Sequence, residues 1–249
     1  MTRTVTEYTV ELTGDAASQK HWTATAYERA ARHDLHSPGF CLIQLAAHAT
    51  SLELRAAMWQ LRVEFARIHH DRTGRHIVVA SAGRFDQQET TKPHRDGAPD
   101  ESLLVLGYEA SAVESEVALL DYSACAHGMG LTPAAFLDRH NPMFARGAEL
   151  LKPWTTPVES FCNRRPQILV INNSMAAYAP DECRWQGVLH TATIPPPDES
   201  QRRVINSMML VSDDHSDADA VSAADIHEFL TTSRVLRRGY ARPELSDDE

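Results

Sequence analysis

The sequence is short of several features that would assign it a chemistry at sight. Its four cysteines, Cys41, Cys125, Cys162 and Cys183, are scattered and form no CxxC pair. That argues against a zinc ribbon or a disulfide framework and predicts free buried thiols in a reducing cytoplasm. No apolar run approaches membrane-spanning length. The first residues, Met1-Thr2-Arg3-Thr4-Val5-Thr6-Glu7, lack the apolar core of a signal peptide. Both observations predict a cytoplasmic protein with no membrane partner. No Gly-x-Ser-x-Gly elbow and no phosphate-cradling Gly-x-x-x-x-Gly-Lys loop is present, so a serine hydrolase and a P-loop enzyme have no support. Positive charge is also scarce: 24 Lys and Arg stand against 34 Asp and Glu, a net charge of −10. Nucleic acid is thereby disfavoured as a partner, because phosphate binding needs a basic face. A small-molecule substrate remains compatible with this charge.

What is present is enough apolar material for a sizeable core. The chain has 249 residues, of which 43% are hydrophobic and 23% charged. No repeat or low-complexity linker divides it, so one domain spanning 1–249 is expected. Alternation of Tyr8, Val10 and Leu12 with polar residues suggests an early strand. Helical character runs from Ala17 to Asp34, and Phe40 to Leu45 is a short apolar strand. The clearest helix covers Ser51 to His69, with Leu54, Ala57, Met58, Leu61, Phe65 and Ile68 on one stripe and Ser51 as a possible cap. Strands are expected at His76 to Ala80, Ser102 to Tyr108, Glu116 to Tyr122, Gln167 to Asn173, Gly187 to Ile194 and Arg203 to Ser212. A helical insert around 124–165 separates two groups of strands, with Thr132-Pro133 as a helix start. Pro195-Pro196-Pro197 reads as a rigid loop, Ser222 to Arg237 as a terminal helix, and Pro243 to Glu249 as a frayed acidic end.

The segment carrying the chemistry is Lys92-Pro93-His94-Arg95-Asp96-Gly97. In extended chain, residues two apart face the same side, so His94 and Asp96 can reach one ion together. A second histidine, His190, lies in Val188-Leu189-His190, and an arginine pair, Arg202-Arg203, follows it. Two imidazoles and one carboxylate form the facial triad of non-haem Fe(II) centres, with positions left open for co-substrate and O2. A trailing arginine could hold a dicarboxylate through a forked, charge-assisted pair.

This order of parts resembles the Fe(II)/2-oxoglutarate-dependent dioxygenases, nearest the branch that contains taurine dioxygenase and clavaminate synthase. Four pieces carry the likeness: His94-Arg95-Asp96; the apolar runs Ser102 to Tyr108 and Glu116 to Tyr122; Ile168-Leu169-Val170-Ile171-Asn172-Asn173 with Val188-Leu189-His190; and Arg202 to Leu210. The resemblance implies a mainly β chain with flanking helices and a double-stranded β-helix, or jelly-roll, core. It implies Fe(II) on His94, Asp96 and His190, with 2-oxoglutarate as co-substrate and O2 as oxidant. It further implies that Arg202 or Arg203 binds the far carboxylate. Arg203 is the better placed, because it shares a strand face with Ile205 and Ser207, whose hydroxyl could join the same pocket. Many relatives carry a threonine on the strand after His-x-Asp. Val117 stands near that place here, leaving Ser115 and Tyr122 as substitutes. Asp96 favours hydroxylation, desaturation or ring formation over halogenation, since related halogenases put a small residue there.

Position alone nominates Arg84, Gln88 and Thr90 as substrate contacts. Lys92 shares the face of His94 and Asp96, and could meet an anionic group or simply snorkel at the rim. Trp185 is equally readable as a wall of the site or as core. His69 and His70 suit a capping or surface role at a helix end. His127 and His140 lie in the insert, where a structural role is the better reading. The acidic run Asp213 to Asp219 lacks the glycine and distal glutamate of a calcium loop and reads as a solvated turn. Two other functions remain open at this stage: a cupin-like metal enzyme that does not use 2-oxoglutarate, and a jelly-roll small-molecule binding protein with a vestigial metal site. Oligomeric state is not legible.

Overall fold

The computed structural model describes residues 4–12, 16–194, 198, 200–215 and 218–237. Expectations for Pro195-Pro196-Pro197, for Pro243 to Glu249 and for part of the acidic run fall outside the described residues. Along the chain, α1 (Val5–Tyr8) leads into β1 (Thr9–Glu11), then α2 (Ala16–Ala30), β2 (Phe40–Gln44), α3 (Ser51–Thr73) and β3 (His76–Asp86). Next come β4 (Thr91–His94), β5 (Ser102–Tyr108) and β6 (Glu116–Leu120). Three short helices, α4 (Tyr122–Gly128), α5 (Pro133–Arg139) and α6 (Ala145–Leu151), form the insert. The chain then returns to strands in β7 (Thr155–Pro157), β8 (Gln167–Asn172), β9 (Leu189–Thr193) and β10 (Val204–Asp213), before α7 (Ala223–Thr231) and β11 (Leu236–Arg237).

The strands make two sheets, ordered β1-β2-β8-β5-β10-β3-β11 and β4-β9-β6-β7. All pairings among β3 to β10 are antiparallel. Those eight strands divide into β3, β10, β5 and β8 in one sheet and β4, β9, β6 and β7 in the other. Two such four-stranded layers of antiparallel strands are a jelly roll, the double-stranded β-helix that the motif order implied. β1 and β2 extend the larger sheet on one edge, and β11 on the other.

The pleat of β5 shows how the sequence builds both faces. All seven of its residues are buried. Leu103 and Val105 face the helix-covered side, packing with Leu54, Met58, Leu61 and Phe65 of α3. Leu104 and Leu106 face inward, in a cluster with Leu119 of the opposite sheet and with Leu169 and Ile205. A strand sandwiched in this way reads as a continuous apolar run rather than an alternating one, because each parity has its own core.

Helix α3 carries the expected stripe, but its cap is one residue earlier than the sequence suggested. Thr50 accepts from the Glu53 N–H, and the Glu53 carboxylate accepts from the Thr50 N–H, a reciprocal capping box. Ser51 instead donates its hydroxyl to Glu109, 2.6 Å away. The helix runs four residues past His69, to Thr73, and ends on Gly74 at φ +73°. His69 is therefore inside the helix and buried, not a cap: Tyr27 Oη lies 2.7 Å from its Nδ1 and Ser212 Oγ 2.7 Å from its Nε2. His70 is exposed, as a surface role requires.

Other boundaries also moved. β3 continues through Arg84 to Asp86 because β10 pairs with it along its whole length. The terminal helix stops at Thr231, not near Arg237. Cys41 and Cys125 are free and buried as expected, whereas Cys162 and Cys183 are free but exposed. Asp219, from the acidic run, pairs with Arg62 at 2.6 Å and accepts from the Val79 N–H, so it holds a loop to the sheet. Among the described residues, no helix is long and apolar enough to cross a membrane.

Candidate metal centre

The centre starts from a proline that cannot complete a ladder. β4 is the edge strand of the smaller sheet. Its register against β9 runs Thr91 opposite Ala192, then shifts, then His94 opposite His190. Pro93 sits in that shift. It has no N–H to donate, so an edge bulge is where it is tolerated. The bulge leaves the two histidines directly across from one another, with ring centroids 4.2 Å apart.

Three residues later the chain turns. Asp96 is held there by Asn173, which follows β8 and is fully buried. The Asp96 N–H donates to Asn173 Oδ1 at 2.9 Å, and Asn173 Nδ2 donates back to the Asp96 carbonyl at 3.0 Å. Arg95 points the other way, donating to the carbonyls of Asn173 and Ala98. The middle residue of His-Arg-Asp thus ties the turn down while its neighbours converge. One ligand atom from each of His94, Asp96 and His190 lies within 4.8 Å of the other two.

A second clamp places His190. Arg32, fully buried, forks onto Asp121 at 2.6 and 2.7 Å and donates Nε to the Gln186 carbonyl at 2.8 Å. It therefore joins the end of α2, the cap of α4 and the approach to β9. Beside it, Gly187 passes Ser174 so closely that a Cβ would lie 1.9 Å from the Ser174 carbonyl oxygen. Only glycine fits there.

The electrostatics of the cluster suit ligation. His94 Nδ1 lies 2.7 Å from the Lys92 carbonyl, to which it can donate, and this leaves Nε2, 3.4 Å from Asp96, as the atom that would take an ion. The Asp96 carboxylate holds the His94 imidazole above its ordinary pKa, against the effect of burial. Burial, helped by the neighbouring His94, pushes His190 down to about 4. His190 is thus neutral at ordinary pH, the state in which imidazole ligates. Its Nδ1 is buried and has no hydrogen-bond partner among the described residues. Two imidazoles and one carboxylate within reach of one another fit a divalent first-row ion such as Fe(II).

The triad opens on a cavity of about 130 Å3 that Arg203 and Ser207 also line. Arg203 is buried. Its Nε donates to Ser115 Oγ at 3.2 Å, its Nη1 to the Gln87 carbonyl at 3.2 Å, and its guanidinium lies 5.2 Å from the centre of the Tyr108 ring. Burial raises the Tyr108 pKa, and Arg203 pulls against it. Of the two hydroxyls considered as substitutes at Val117, Ser115 is the one beside Arg203. Tyr122 instead donates to the Ser174 carbonyl, 2.5 Å away. Arg202 is exposed and lines no part of the cavity. Strand parity separates the two arginines as the sequence suggested.

The five nominated substrate contacts lie elsewhere. Arg84 faces α3 and α7, bonded to Asn206, Glu109 and the Thr232 carbonyl. Gln88 and Thr90 bond to the backbone of Asp198, Gln201 and Ile194. Lys92 is exposed and donates to the Met143 carbonyl of the insert at 3.0 Å. Trp185 is fully buried in the outer core, its ring 4.9 Å from His69. None of these five lines the cavity. The sequence reading missed Tyr108 and the clamp Asn173, and in the polar segment Arg84 to Thr91, which it expected at the mouth of the site, it chose the even-numbered residues where Gln87 and Glu89 line the cavity. Parity counted back from His94 points to the even-numbered residues, and the register shift at Pro93 reverses it. Asn173 was quoted as part of a strand, and nothing local marks it as a clamp.

No family model matches this sequence, and no curated protein matches it. Among solved structures the chain is similar to an iron and alpha-ketoglutarate-dependent endoperoxidase, NvfI. One structure of that protein aligns at 15% identity and a TM-score of 0.41, covering 76% of this chain and 83% of the other. A second conformation of it gives the same values. A tryptophan-to-phenylalanine variant gives 14% and 0.40. Superpositions this loose leave the fold to be assigned by strand order alone. By that order this chain is a double-stranded β-helix holding a His-Asp-His cluster beside a buried arginine.

Proposed function

We propose that this chain is a non-haem Fe(II)- and 2-oxoglutarate-dependent oxygenase acting on a small-molecule metabolite. The single observation that carries this reading is the shared cavity: the three ligand atoms and the buried Arg203 line one small space. His94, Asp96 and His190 would hold the iron. Arg203 would take the far carboxylate of 2-oxoglutarate, and Ser207 can add a hydroxyl beside it. A metal enzyme with no dicarboxylate to bind has little use for a desolvated guanidinium there, and this favours the 2-oxoglutarate reading over a cupin-like one. The bound centre would supply oxidative decarboxylation of 2-oxoglutarate to succinate and CO2, coupled to oxidation of a substrate C–H bond.

The chain's own contribution is orientation. Ser115 and the Gln87 carbonyl fix the Arg203 fork, and Tyr108 covers its face, so it meets a carboxylate without reorganising. The Lys92 carbonyl sets the His94 tautomer. Asn173 holds the backbone of Asp96, and Leu106 and Ile205 exclude water from the inner cavity. At about 130 Å3 the cavity suits a small dicarboxylate and leaves the primary substrate to approach at the rim. Hydroxylation, desaturation and ring formation are all open to a centre that keeps Asp96. The test is succinate release from 2-oxoglutarate with Fe(II) and O2 across a panel of metabolites. A stimulating compound is the expected result. Absence of any succinate, with or without candidate substrates, contradicts the reading.

A further inference from the structure

One charge in the cavity lining is left unused by that chemistry. Between Phe85 and Thr91 the odd-numbered residues line the cavity, Gln87 and Glu89 among them. Gln88 and Thr90 turn away and bond to the backbone of Ile194, Asp198 and Gln201. This is the parity of extended chain, and it sets Glu89 on the cavity side. Glu89 lies between Gln87, whose carbonyl accepts from Arg203, and Thr91, which starts the ladder leading to His94. It is exposed, so it belongs to the rim. Among the described residues it has no hydrogen bond and no ion pair. The cations nearest in sequence are committed: Lys92 to the Met143 carbonyl, Arg84 to Glu109 and Asn206, and Arg95 to the carbonyls of Asn173 and Ala98.

This inference rests on the oxygenase reading. A ferrous ion and Arg203 together bring three positive charges to the loaded centre. Asp96 and the dicarboxylate bring three negative ones, so the centre balances itself. Glu89 remains over. An unpaired carboxylate is tolerated at a wet rim, but a substrate that displaces the water makes it costly. A cationic group on the substrate removes that cost and adds a charge-assisted hydrogen bond. We infer that Glu89 determines specificity at the rim, and that the primary substrate carries a protonated amine or guanidinium.

Full-length protein loaded with Zn(II), as a redox-inert stand-in, and with 2-oxoglutarate is titrated with cadaverine and with 1,5-pentanediol, using ligand-observed NMR. Wild type should prefer the diamine by about fivefold, the scale of one partly exposed ion pair. Glu89→Gln should bring the two probes to parity while 2-oxoglutarate affinity stays within about twofold, which also shows that the variant folds. No preference in wild type, or a preference that survives Glu89→Gln, overturns the inference. If 2-oxoglutarate itself fails to bind, the oxygenase reading falls and takes this one with it. If it binds and no preference appears, only the role of Glu89 is lost.

Discussion

His94 and His190 face each other on β4 and β9, an edge strand and its neighbour, with ring centroids 4.2 Å apart. An ion held by both therefore staples the edge strand to the sheet. A ligand that binds the folded state alone raises stability by mass action. Saturating Zn(II) or Ni(II) should raise the wild-type melting temperature, by about 3 kcal/mol of stability at a hundredfold excess over the dissociation constant. His94→Ala should abolish the rise. Thermal unfolding with and without metal checks this, and an equal rise in the variant would place the metal elsewhere.

Arg203 and Arg202 offer an internal control. The first is buried against Ser115 and Tyr108, the second exposed. Arg203→Ala should weaken 2-oxoglutarate binding by about ten- to a hundredfold, the scale of a lost charge-assisted pair. Metal binding should persist. Arg202→Ala should change neither. Calorimetric titration of both variants decides between them, and the reverse result would mean that the strand faces the other way in solution.

Asn173 never touches the ion on this account, yet it holds both backbone groups of Asp96. Asn173→Ala should lower metal affinity by about ten- to a hundredfold, as loss of a ligand-orienting partner does. The far-ultraviolet spectrum should be unchanged. Metal affinity measured by competition with a chromophoric chelator is the check, and unaltered affinity would assign Asn173 a purely structural role.

His69 predicts an acid-sensitive fold. Burial, with Arg75, His33 and His70 nearby, pushes its pKa down to about 4 from an ordinary 6.5. The folded ring stays neutral where the unfolded ring takes a proton. Its contribution is complete above pH 6.5 and is lost as pH falls toward 4. The loss is about 3 kcal/mol over that window. Urea unfolding of wild type and His69→Gln from pH 7 to 4 should show a shallower pH slope in the variant. Parallel slopes would assign the acid sensitivity to other groups.

Much of the architecture was legible because period and parity are local. The stripe of α3 and the continuous apolar run of β5 follow from residue spacing. The opposite parity of Arg202 and Arg203 followed in the same way. His94 and Asp96 do meet, but β4 ends at His94, and the turn held by Asn173 rather than strand parity brings the carboxylate over. What escaped was set by partners distant in sequence. Arg84 looked like a contact near the site, but β3 extends past it and turns it toward α3, where Glu109 and Asn206 hold it. Trp185 precedes the distal histidine in sequence, yet it packs against His69 in the outer core. His69 itself looked like a helix end because the apolar stripe stops at Ile68, although Gly74 marks the true stop after Thr73. The Asn173 clamp needs β8 and the turn after β4 to meet, which no local pattern announces.

The most direct test of the central claim is anaerobic absorption spectroscopy of the protein with Fe(II) and 2-oxoglutarate. The account predicts a visible metal-to-ligand charge-transfer band that requires both additions. It should be absent in Asp96→Ala and should need far more 2-oxoglutarate in Arg203→Ala. A wild-type protein that binds Fe(II) but develops no such band at saturating 2-oxoglutarate would contradict it.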